Sequence, residues 1–169
     1  MKKLLITLLS LALLSCQSTK KNVVGMTELE FQNKTDSIQN ENIVSGKLCN
    51  GWYQTSQTEN EFKRFYVKDS ISFFITPRPK VLTDNFSQSR EFENNQGIKG
   101  LAIILDKIGA ESWSETTLNN IGSRLVFILD NIIITAPIVN AQITNGNTAF
   151  WKNETSSDEW KKLKEFTKK

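Results

Sequence analysis

Residues 101–146 read LAIILDKIGA ESWSETTLNN IGSRLVFILD NIIITAPIVN AQITNG, and this stretch decides the fold. It opens with a short apolar run, Leu101 to Leu105, which is long enough for one strand. Asp106 follows, a residue type whose carboxylate accepts from the free amides of a first helical turn. Ala110, Trp113, Thr117, Leu118 and Ile121 then recur at the 3.6-residue spacing of one helix face. Gly122 stands where a helix exit needs a left-handed residue. Beyond it, Arg124 to Asp130 and Ile132 to Val139 read as the two arms of a hairpin. Asp130 and Asn131 form its turn, since both types tolerate positive φ. Leu125, Phe127 and Leu129 alternate in the first arm. The unbroken Ile132 to Ile134 predicts that the second arm is the strand buried on both faces. Pro137 ends regular pairing, and Asn145 with Gly146 makes a further turn.

Outward from this segment the same grammar continues. On the amino side, 51–55 and 62–68 read as strands joined as a hairpin through the polar residues 56–60. Another strand falls at 71–76 and is stopped by Pro77 and Pro79, since proline gives nothing to a ladder. Residues 86–92 and 99–105 pair across the turn at Asn94 to Gly97. On the carboxyl side, 148–151 is a short strand. Ser156 and Glu159 then have the spacing of a capping box ahead of the apolar stripe Trp160, Leu163 and Phe166. The lysines at 161, 162, 164, 168 and 169 are read as that helix's solvated face, with an alternative as a helix lying on an anionic membrane surface. Strands interleaved in this way with two main helices, about 106–122 and 156–167, give an α+β domain with a mostly antiparallel sheet.

The amino terminus has a different character. Lys2 and Lys3 precede Leu4 to Leu14, an apolar run of 11 residues broken only by Thr7 and Ser10. A bilayer-spanning helix needs about 20, so the run fits the core of a secretory signal peptide. Leu13-Leu14-Ser15-Cys16 resembles the lipobox of bacterial lipoproteins. That resemblance implies removal of residues 1–15 and lipid attachment at Cys16. The alternative is an ordinary cleaved leader with Cys16 an incidental thiol. Residues 16–43 are rich in Lys, Asn, Gln, Ser and Thr and are read as a flexible tether ahead of a domain at 44–169. No acidic residue follows Cys16 closely, which favours a domain facing the periplasm. With Cys16 acylated, the two cysteines build no disulfide framework.

Composition narrows the function. Without Lys2 and Lys3 the formal charge of +3 falls to +1, short of the basic face that nucleic-acid binding requires. Histidine is absent, which removes Ser-His-Asp and Cys-His nucleophile systems and all His-based metal sites. No metal or cofactor is expected.

Leu101 to Asp106, Gly109-Ala110, Asn120 to Gly122, Leu125 to Asp130, Ile134 to Pro137 and Ile143 to Gly146 together resemble the head part of the first periplasmic domain of SecD/SecDF protein-export subunits. Pro79 to Thr83 resembles that family's segment just upstream, so the likeness runs from about Pro77 to Phe166. Asn131 and Asn145 stand where the family has turn glycines. The resemblance implies that Gly122, Asp130, Asn131, Pro137 and Gly146 are structural turns and that the module meets polypeptide at the envelope. Three roles are compatible with these residues. One is a non-catalytic binder of extended chains or an envelope protein, by strand addition at an open sheet edge. Another is an inhibitor or immunity-type protein for one partner. The third is a carboxylate-based hydrolase, but Glu111 and Glu115 are expected on the solvent side, and Asp106 and Asp130 already have cap and turn roles.

Overall fold

The computed structural model describes residues 26–168, so the expected signal peptide, residues 1–15, and Cys16 lie outside the described residues. The chain runs α1 (Glu28–Ser45), β1 (Gly51–Ser56), β2 (Lys63–Tyr66), β3 (Ile71–Ile75), β4 (Val81–Leu82), β5 (Phe86–Glu93), β6 (Lys99–Leu105), α2 (Lys107–Asn119), β7 (Leu125–Leu129), β8 (Ile132–Thr135), β9 (Asn147–Trp151) and α3 (Ser157–Thr167). The strands form two sheets, one ordered β2-β3-β1-β7-β8 with β4 beside β1, the other ordered β5-β6-β9. All pairing between strands is antiparallel, as an α+β reading predicts.

The larger sheet is buried on both sides, and its central strands feed two separate cores. Leu125, Phe127 and Leu129 of β7 join Trp52, Phe150 and Trp113 in the main core, between the two sheets. Val126 and Ile128 point the other way, into a second core with Tyr53, Phe62, Tyr66 and Ile75. A strand feeding both faces must be apolar at every position, and all five residues of β7 are buried. The unbroken Ile132 to Ile134 was expected in a strand buried on both faces, and β8 is one from Ile133 onward. Ile133 and Ile134 do face opposite cores, but Ile132 sits at the hairpin tip and is 46% exposed.

Three further expectations change. The 51–55 and 62–68 strands do not form a hairpin with each other. Both pair instead with β3, which lies between them, because Ile75 and Phe73 of β3 pack into the second core. On α2 the buried face is Gly109, Trp113, Thr116 and Thr117, while Leu118 and Ile121 are about half exposed. Hydroxyls hold this face: Thr117 Oγ1 donates to Trp113 O and accepts from Ile143 N at 2.9 Å. The third change is α1, an 18-residue helix where the tether was expected. Its start carries a capping box between Thr27 and Glu30, and Gly46 closes it at φ +66.

How α1 is held follows from the prolines. Between β3 and β4 the chain stays beside β1 at Thr76, whose N–H donates to Gln54 O, and at Lys80, whose N–H donates to Trp52 O. The residues between them leave the ladder, because Pro77 and Pro79 have no N–H to give. The bulge frees Pro77 O, which accepts from Asn42 Nδ2 at 2.7 Å. It also aims Arg78 at α1, where it bonds Gln32, Thr35 and Asp36. Lys34 pairs with Asp84. Phe31 is the only large apolar side chain of α1 that is buried. The dock is polar along most of its length.

Candidate functional site

Each sequence-predicted turn residue occupies a distinct place in the structure. Gly122 has φ +83 and donates to Val139 O. Asp130 and Asn131 have φ 52 and 64, and together turn β7 into β8. Pro137 is exposed, and its carbonyl accepts from Leu125 N. Gly146 has φ +66, and a Cβ there would lie 2.7 Å from that of Ala110. These positions are spread around the molecule and converge on no common site.

Asn131 also acts through its side chain. Its Oδ1 accepts from Leu48 N at 2.8 Å and from Arg64 Nε and Nη2 at 3.2 and 2.9 Å. One amide therefore ties the hairpin tip to β2 and to the exit of α1. The carboxylates do not assemble an acid–base pair. Glu111 and Glu115 are exposed on α2. Asp106 Oδ1 accepts from Gly109 N at 2.7 Å as an N-cap, and Asp130 pairs with Lys162. Among the described residues no cluster of three acidic or cysteine side chains could hold a metal ion. A polar cleft of about 240 Å³ separates α1 from α2, with Arg78 and Lys80 on its wall, but Arg78 is committed to α1.

The small sheet has one face in the main core and the other turned away from it. Leu101, Ile103 and Phe150 on its inner face are in the main core. Its outer face carries Arg90, Phe92, Gly100, Ala102, Ile104, Ala149 and Trp151, of which Arg90 and Ile104 are exposed and Phe92, Ala102, Ala149 and Trp151 half-buried. Phe92 lies flat over Gly100, where a Cβ would meet the ring at 2.4 Å, and it meets Trp151 edge-on at 4.9 Å.

The edges of this sheet differ from each other. Antiparallel pairs alternate between bonded and non-bonded, so one hydrogen bond fixes the phase of a whole ladder. Asn94 N donates to Ile98 O, and Leu105 N donates to Gly146 O. Counted from these, the even positions of β6 bond to β5 and the odd ones to β9. The backbone groups of Asn147, Ala149 and Trp151 therefore point out from β9, and Trp113 Nε1 caps Asn147 O at 3.2 Å. On β5 the outward groups belong to Ser89, Glu91 and Glu93, and no comparable cap covers them among the described residues. Side chains flank this edge without closing it: Ser89 Oγ donates to Thr167 O, and Glu91 pairs with Lys164.

Both tyrosines lie in the second core and resist ionisation. Burial pushes the Tyr53 hydroxyl up from its ordinary value of 10, against the pull of its bond to Asn42. Burial, then the charges of Glu154 and Asp69, push Tyr66 up to about 12.

Sequence reasoning missed Asn42, Arg78 and the edge of β5. Asn42 joins Cys49 and Tyr53 to Pro77, which is 35 positions away, and Arg78 reaches Gln32 and Thr35, 46 and 43 positions away. The edge exists only once the order of the strands is known.

Residues 59–163 match the model of a family described as the SecDF P1 head subdomain. The chain is 29% identical over 140 residues to the protein translocase subunit SecD of Rickettsia prowazekii (strain Madrid E), which covers 80% of this chain and 25% of that one. It thus spans about a quarter of that relative's length. Among solved structures it is similar to SecDF described as a membrane component that enhances protein export, with a TM-score of 0.52 at 16% identity, covering 86% of this chain and 69% of that one. It is also similar to SecDF in a super-membrane-facing form, with a TM-score of 0.50 at 15% identity, covering 75% and 19%. Those two likenesses concern the fold.

Proposed function

The chain belongs to the SecDF P1 head subdomain family, and from that premise we propose that it is a non-catalytic lipoprotein of the bacterial cell envelope. Residues 1–15 are removed as a signal peptide, lipid on Cys16 holds the chain to a membrane, and the domain faces the periplasm. The domain binds polypeptide or a protein partner. Among the described residues no helix is long and apolar enough to cross a membrane.

The observation that carries the reading is the bare edge of β5. The outward backbone groups of Ser89, Glu91 and Glu93 on this eight-residue strand offer main-chain hydrogen bonds to an extended chain, with little demand on its sequence. Ser87, Gln88, Ser89, Arg90, Glu91 and Glu93 keep the edge hydrophilic, which protects it from indiscriminate sheet-to-sheet pairing.

A photo-crosslinking residue at Gln88 of the full-length protein, expressed in living cells, tests the binding role. Capture of polypeptides from Gln88, and none from a matched position at Leu29 on α1, is the expected result. Equal capture at both positions, or none at either, would refute a docking role for the small sheet. The anchor is tested separately by mass spectrometry of the amino-terminal peptide. An unmodified sulfur on residue 16, as a thiol or joined to Cys49, would overturn lipidation.

A further inference from the structure

Polypeptide binding as proposed above leaves open which segments the edge prefers, and the placement of side chains along β5 answers this. We infer that β5 takes an extended segment antiparallel to itself that carries an apolar residue followed two positions later by an acidic one. The inference rests on the binding role already proposed.

An added strand would bond to the outward backbone groups of Ser89, Glu91 and Glu93, and antiparallel addition is the more stable mode. Its side chains would alternate between the two faces of the sheet. On the outer face they would stand opposite Phe92 and then Arg90. Phe92 is half-buried against Gly100 and Trp151, so it is a fixed ring and favours an apolar neighbour. Arg90 is exposed, faces Ala102 on β6, and has no carboxylate partner among the described residues. Its charge is left for the incoming chain. On the inner face Glu91 is already matched by Lys164 at 3.4 Å, so the residue between the two anchors meets no unbalanced charge. Chain direction then fixes the order as apolar, any residue, acidic.

The phase of the ladder supplies a clean test. The Glu91 N–H points away from β6, so Glu91→Pro removes an edge donor without removing a bond of the β5–β6 ladder, and proline is tolerated on such edges. Fluorescein-labelled synthetic peptides with apolar-x-acidic and apolar-x-lysine repeats are titrated into the full chain and followed by anisotropy. Expected results are tenfold or greater weakening in Glu91→Pro, with the unfolding midpoint checked alongside, and a clearly smaller change in Glu91→Gln, which keeps the N–H and loses only the charge that balances Lys164. Arg90→Glu should reverse the preference, weakening the acidic peptide and strengthening the lysine peptide by about two- to fivefold each, the range of one cross-strand pair. This second variant keeps the test decisive should Glu91→Pro disturb the fold. Peptide binding indifferent to Glu91→Pro and Arg90→Glu would overturn the assignment to β5 and leave polypeptide binding standing. No binding of either peptide at millimolar concentration would refute both.

Discussion

Trp52 sits at the centre of the main core, with Trp113, Phe127 and Phe150 at ring distances of 4.9, 5.3 and 5.6 Å. Among the described residues its indole N–H has no hydrogen-bond partner. A buried donor left in that state costs about 1–3 kcal/mol, so the ring is retained for its bulk. Trp52→Phe should therefore lose less than about 1.5 kcal/mol, because removing the orphan N–H offsets lost packing. Trp52→Ala should lose about 3–5 kcal/mol, both read from urea unfolding followed by circular dichroism. Asn131 makes the opposite case. As a turn residue it is replaceable by glycine, which enters the left-handed region with less strain. Its Oδ1, however, receives three N–H groups, and Asn131→Gly strands them. The expected loss is about 1–3 kcal/mol, and a neutral result would mean that the turn geometry is the whole of its role.

The elements differ in how far they could be read from the chain. Asp106, the Ser156–Glu159 box and the Asp130–Asn131 turn act within three or four residues, so their chemistry is local and legible. The pairing of β1 with β3 is not local. It depends on which face of a curled sheet Ile75 finds, and no pattern within either strand states that. For α1 the caps at Thr27–Glu30 and Gly46 were visible signals. The apolar periodicity that marks a helix was absent, because the docked face is Phe31, Thr35 and Asn42. A helix held mainly by hydrogen bonds should open more readily than strands buried on two faces. Amides of Glu28–Ser45 should exchange with deuterium before those of β7. Asn42→Ala should speed α1 exchange about tenfold or more, the equivalent of 1.4 kcal/mol, with a smaller effect on β7. Identical rates in both elements would show that α1 opens only with the whole domain.

For the whole molecule, the double-sided sheet means that two cores share one wall, so the second core's chemistry bears on global stability. Its tyrosines, the chain's only two, are harder to ionise folded than unfolded. Between the two pKa values the folded state binds more protons than the unfolded one, so stability falls as pH rises. The contribution is intact below pH 10 and is lost as pH climbs through about 12, the value for Tyr66. Tyrosinate absorbance at 295 nm should therefore rise together with unfolding, followed by circular dichroism. An earlier absorbance rise, with the fold intact, would contradict the burial of both hydroxyls. The family was legible in the sequence because its turns recur at set intervals between 101 and 146. The open edge of β5 was not, since a free margin is a property of assembled sheets.

The way α1 is fastened gives the molecule two rope lengths. With the amino end made fast to a bilayer, as proposed, a tug arrives first at this helix and meets chiefly a ring, a few amides and two ion pairs. Coiled, its 18 residues measure about 27 Å; drawn straight they would pay out to about 60 Å. The body of the protein could then swing much farther from its mooring while both cores stayed whole.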